Sequence, residues 1–161
     1  MRFLDPRPWS ATSLFGWQVH IDTEGLCTYR DESGRLQASY RVLPWVYPNP
    51  RLGLMEHPIS LPEGEVVLFN GKRGAVRRSS HNGHLVMRGR RYEFRHKRRR
   101  RCELWCDGLL IATLRRRWRT TVLVGAAPRD DTDLLAAVLC EYAVRPGRPG
   151  VMSAIMDALF A

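Results

Sequence analysis

Asp133-Leu-Leu-Ala-Ala-Val-Leu-Cys-Glu-Tyr-Ala-Val144 is the stretch on which the fold turns. Leu and Ala favour helix, and no Gly or Pro interrupts the run. Asp130, Asp131 and Thr132 stand just before it, where side-chain oxygens cap free N–H groups and negative charge suits the positive helix end. Arg145-Pro146-Gly147 follows, and Pro146 cannot continue the hydrogen-bond ladder. Glu141 is the one charge inside a run that is otherwise apolar on every side. A helix apolar all round must be enclosed. Its residues cover roughly 18 Å as helix, against about 30 Å for the hydrocarbon core of a bilayer, so the enclosure is protein rather than lipid.

The rest of the chain supplies short strands for that enclosure. Trp17–Ile21, Leu26–Arg30 and Leu36–Val42 alternate apolar and polar residues. Two loops ending in Gly, 22–25 and 31–34, separate them, as in a three-strand meander. Further strand signals lie at 66–69, 75–79, 85–88, 91–96, 102–106, 109–114 and 118–124. Asp107-Gly108 between the Cys102 and Leu109 strands suits a type I′ hairpin turn. Before this series, residues 1–16 carry Pro6, Pro8 and Trp9 without periodicity and read as an extended arm. Residues 44–62 hold Pro44, Pro48, Pro50, Pro58 and Pro62 and read as a packed, irregular loop. One domain over 1–161 follows: a mainly β protein, with an antiparallel barrel of about ten to twelve strands around a buried C-terminal helix. A short terminal helix is expected at 150–161, with Val151, Met152, Ile155, Met156, Leu159 and Phe160 as its apolar contacts. It either docks on the domain or meets a partner or a membrane surface.

Charge is distributed unevenly. Residues 72–119 hold 17 basic and 3 acidic residues, whereas the segments before and after each carry a small net negative charge. Lys97-Arg98-Arg99-Arg100-Arg101 sits between two strand signals, and Arg115-Arg116-Arg117 with Arg119 ends the next strand but one. Antiparallel pairing through the Asp107-Gly108 hairpin therefore brings both clusters to one edge. So many like charges repel unless an anion compensates them. The bland alternative is a solvated edge that discourages strand pairing.

The remaining candidates for chemistry are weak. His81 and His84 flank a turn without further ligands at motif spacing. Cys102 and Cys106 on one strand stand roughly 13 Å apart, too far to chelate together. These two, with Cys27 and Cys140, lie in apolar runs and read as reduced core thiols. Asp130, Asp131 and Asp133 read as helix caps rather than a cation site. Ser79-Ser80-His81 lacks a third member, and no Gly-rich phosphate loop follows a strand. The expectation is a non-enzymatic protein without catalytic residues, metal or cofactor.

The strands ending in Cys-Glu-Leu-Trp-Cys-Asp-Gly-Leu-Leu-Ile-Ala-Thr-Leu-Arg (102–115), the strand at 118–124 and the apolar run at 131–144 together resemble the tubby C-terminal-like superfamily. The resemblance is closest to its small LURP-one-related members, whose relatives include phospholipid scramblases, and it spans residues 65–145. It implies a closed antiparallel barrel threaded by an apolar helix. For tubby-type members it also implies binding of anionic phosphoinositide headgroups, without identifying the binding positions in this chain.

Two partner classes follow from the basic face: anionic phospholipid headgroups at a membrane surface, and the phosphates of DNA or RNA. Docking of an acidic protein is the third. The expected location is cytoplasmic, including the inner face of a membrane, with no transmembrane segment and no secretory leader.

Overall fold

The computed structural model describes residues 8–42, 56–71, 82–97, 100–117, 120–144 and 146. Within them the chain forms β1 (Trp9–Thr12), β2 (Gln18–Ile21), β3 (Leu26–Arg30), β4 (Leu36–Arg41), β5 (Glu56–Leu61), β6 (Gly64–Phe69) and β7 (Gly83–Met87). It continues through β8 (Arg90–Lys97), β9 (Arg101–Cys106), β10 (Leu109–Arg117), β11 (Thr120–Ala126) and α1 (Asp131–Leu139), with a π turn over Cys140–Val144. The strands make one antiparallel sheet in chain order. Each strand thus pairs with its sequence neighbour, the arrangement that short connections favour.

Two-residue alternation decides which side chains face the core. In β8, Tyr92, Phe94 and His96 are buried, while Arg91, Glu93, Arg95 and Lys97 take the other face. In β9, Cys102, Leu104 and Cys106 are buried and alternate with Arg101, Glu103 and Trp105. The β9–β10 turn holds Asp107 at φ 48° and Gly108 at φ 85°. Positive φ at both central residues is what a type I′ turn requires, and its twist matches that of the flanking strands.

Leu135, Ala136, Ala137, Val138, Leu139 and Cys140 are all fully buried. The sheet must curl to enclose them. In a flat sheet β1 and β9 would lie roughly 38 Å apart, at about 4.8 Å per strand step. Both nevertheless reach the same stretch of helix. Trp9 of β1 packs edge-on against Tyr142 with ring centroids 5.8 Å apart. Cys102 of β9 meets Cys140 at 3.6 Å. β1 and β11 do not pair, so the described sheet is curved and open rather than a closed barrel.

The helix is pinned at both ends. Asp130 is the N-cap and accepts from the N–H groups of Thr132 and Asp133. Asp133 is not a cap. Its fully buried carboxylate accepts from the Tyr92 hydroxyl at 2.7 Å, from Arg129 Nε at 2.7 Å and from the Arg129 backbone N–H at 3.0 Å. Burial opposes its ionisation, but these donors and the Arg129 charge win and hold its carboxyl far below the usual carboxylate range. At the other end Glu141 accepts from the Leu14 N–H at 3.0 Å, and the Tyr142 hydroxyl donates to Thr12 O at 3.3 Å. Both contacts tie the π turn to the first hairpin.

Two segments expected to be irregular contain strands. β1 occupies part of the N-terminal arm, and its Trp9 reaches the body as an edge-strand aromatic. β5 lies inside the Pro-rich stretch 44–62. Pro58 fits because it faces outward and β5 meets β4 only at Ser39↔Ser60, so little of the ladder on that side is at stake. His57, Ile59 and Leu61 are buried in alternation with Glu56, Pro58 and Ser60, a period that the prolines mask in the sequence. The expected strand at 75–79 and the expected helix at 150–161 lie outside the described residues.

Candidate anion-binding rim

The two basic clusters meet where the hairpin register predicts. Lys97 pairs with Arg101 across β8–β9, and Arg101 pairs with Arg115 across β9–β10. The Arg116 N–H donates to Arg100 O at 2.9 Å, which joins the β8–β9 tip to the end of β10. Since Cys102 and Leu114 point inward, their neighbours Arg101 and Arg115 stand side by side on the outer face. Arg100 and Arg117 are exposed beside them, and Arg116 takes the inner-face parity. Arg98, Arg99 and Arg119 lie outside the described residues, as do Val151, Met152, Ile155, Met156, Leu159 and Phe160.

The charges on this face are not equally compensated. Arg95 donates to Glu93 at 2.8 Å and lies over the Trp105 ring, 4.7 Å from its centroid. The Arg95 hydrogen bond is the main reason that the Glu93 carboxyl stays below the usual range. Lys97 reaches Glu103 at 3.5 Å, and Trp105 Nε1–H donates to the same carboxylate at 3.0 Å. Arg101 and Arg115 have no such partner among the described residues. Both of their Nε–H groups are buried and donate to no partner among the described residues. Like charges directly opposite on adjacent strands destabilise a sheet, and each buried unpaired donor costs about 1–3 kcal/mol. An oxyanion bound beside the two arginines would relieve the like-charge repulsion.

Sequence reading named the Arg clusters but missed Glu93, Arg95, Glu103 and Trp105, which set the boundary of the uncompensated region. Their signal was parity: residues two and four places from Arg101 on β9, and from Lys97 on β8, share its face. A separate shallow pocket of about 270 Å³ is lined by Trp17, Asp31, Glu32, Ser33, Asp131 and Leu134. Asp31 is already engaged there, accepting from Ser33, Gln37 and the Arg35 N–H. Among the described residues no group of three or more His, Cys, Asp or Glu side chains could hold a metal ion. Nor is any described helix long and apolar enough to cross a membrane.

Comparison with known protein families, with curated proteins and with solved structures found no match for the chain.

Proposed function

We propose that the chain is a polyanion-binding module whose Arg rim engages anionic headgroups at a membrane face. One observation carries the reading: Arg101 and Arg115 stand directly opposite each other on adjacent strands, with no acidic partner among the described residues. A purely solubilising edge has no need of that arrangement, because exposed guanidinium groups serve equally well. The rim lies where β8 meets β9 and where β10 ends, at one edge of the sheet, and such an edge can approach a planar charged surface. Each Lys or Arg near such a surface contributes about 1 kcal/mol. The apolar residues Val151, Met152, Ile155, Met156, Leu159 and Phe160 would add the second signal that stable anchoring needs. The resemblance of residues 65–145 to tubby-like proteins points the same way.

The test compares anionic vesicles, neutral vesicles, duplex DNA and RNA across a salt series. Anionic vesicles bind, and binding weakens as salt rises. Arg101→Gln and Arg115→Gln each lower vesicle affinity about fivefold, and the double variant loses little more than either single one, because both side chains serve one anion. Additive losses would mean two separate patches. Preferential binding to DNA or RNA moves the rim to phosphate-backbone recognition. Binding to none of these at low salt overturns the polyanion reading, and an acidic protein becomes the partner to seek.

A further inference from the structure

Beneath the rim lies a pair of thiols that anion binding does not use. Cys102 and Cys140 are both fully buried, and their sulfurs stand 3.6 Å apart, with the Cys140 S–H donating to Cys102 Sγ. The two residues are 38 positions apart in the chain. Cys102 follows Arg101 in β9, and Cys140 is the first residue of the π turn. Local departures from α-helical hydrogen bonding of this kind recur at functional positions. The other two thiols have different neighbours. Cys106 Sγ contacts Asp107 Oδ2 at 3.5 Å, and Cys27 lies buried on β3 opposite Tyr40.

We propose that Cys102 and Cys140 are an oxidisable dithiol, a modification site whose disulfide fastens the end of the central helix to the strand beneath the basic rim. A disulfide bond is about 2.05 Å long, so the sulfurs must close by about 1.5 Å. The co-reactant is a small peroxide, because a buried pair excludes bulky oxidants. Cys102 sulfur attacks a peroxide oxygen, the O–O bond breaks, and Cys102 becomes a sulfenic acid with release of water. Cys140 sulfur then attacks the Cys102 sulfur; the S–S bond forms, the S–O bond breaks, and a second water leaves with the Cys140 proton. Two electrons pass from the thiol pair to each hydrogen peroxide, which is reduced to water. The disulfide closes a loop between elements that are distant in sequence, which restricts the unfolded chain and stabilises the folded one.

The experiment uses the full chain, reduced and then treated with hydrogen peroxide, with no ligand present, so its result is independent of the polyanion reading. Peptide mass mapping without reductant should find a Cys102–Cys140 cross-link lighter by two hydrogens. The thermal midpoint should rise by roughly 10 °C and return to its starting value with dithiothreitol. The double variant Cys27→Ser, Cys106→Ser should keep the cross-link. Cys140→Ala should lose the midpoint rise, and because that variant is itself altered in the core, the cross-link map of the unmodified chain decides the matter. Cross-links through Cys27 or Cys106, conversion of Cys102 to a sulfinic acid without a cross-link, or thiols that stay reduced until the protein is unfolded each overturn the proposal.

Discussion

Removing the Asp133 carboxylate should be among the most damaging single changes in the molecule. In the native fold this fully buried group accepts from Tyr92, from two nitrogens of the Arg129 side chain and from the Arg129 backbone N–H, and Arg90 approaches it at 3.2 Å. Asp133→Ala leaves the buried Tyr92 hydroxyl without its acceptor and the Arg129 guanidinium without its anion, while Arg90 keeps Asp130 at 2.6 Å. Breaking a buried ion pair from one side costs about 3–5 kcal/mol. Arg129 and Arg90 are 40% and 32% exposed, so water can rehydrate them, which places the cost near the lower end. For a chain of this size about 3 kcal/mol corresponds to a fall in thermal midpoint of roughly 6–12 °C. The pH dependence gives a second reading. The folded carboxyl is held below its unfolded value of about 3.9. Its contribution is therefore present above that value and is lost as pH falls through the acid range. Thermal melts from pH 7 down to pH 3 should show the unmodified protein losing stability more steeply than Asp133→Asn. Parallel pH curves, or an Asp133→Ala midpoint within a degree or two of the original, would refute this account of how the helix is anchored.

Three further outcomes are expected. The buried Glu141 carboxyl is pushed up to about 7 by desolvation; a raised carboxyl contributes stability below its unfolded pKa and loses it as pH rises through the folded one, so urea midpoints should fall between about pH 5 and pH 7 in the original protein and much less in Glu141→Gln. A Cβ at Gly83 would press into the Phe69 carbonyl oxygen, which belongs to backbone and cannot swing aside, so Gly83→Ala should cost about 1–3 kcal/mol in urea denaturation. Leu135→Asp or Val138→Asp places an unpaired charge at a fully buried helix position and should abolish the folded state by circular dichroism, whereas a soluble variant of unchanged midpoint would contradict enclosure of the helix.

Much of the fold was legible because its strongest signals are local. An unbroken Leu/Ala run with acids before it and Pro after it states a helix, and Asp107-Gly108 states a hairpin in two residues. That hairpin alone predicts the Arg98–Arg101 cluster beside Arg115–Arg117, and the register sets Arg101 opposite Arg115. What was not legible depends on partners remote in sequence. Asp133 looks like a third capping residue, and only the positions of Tyr92 and Arg90, more than 40 residues earlier, reveal it as a buried anion. Pro58 looks like a breaker, and only its outward face and the short β4–β5 pairing make it harmless. Cys102 and Cys140 each look like an ordinary core thiol until the curled sheet brings β9 against the helix.

The enclosure of the helix and the exposure of the rim follow from the same alternation. Cys102 and Leu114 face inward toward the core that surrounds the helix, so Arg101 and Arg115 must face outward at the neighbouring positions. A one-residue slip of either strand would bury an arginine and expose the core residue beside it. Apolar contact within the sheet therefore fixes the register that sets Arg101 opposite Arg115, and the repulsion of these like charges is offset by burial on the opposite face. Anion binding should in turn report on that register. A ligand that binds Arg101 and Arg115 only when they are opposed stabilises the fold by mass action, so its presence should raise the thermal midpoint of the intact chain and fail to raise that of Arg101→Gln.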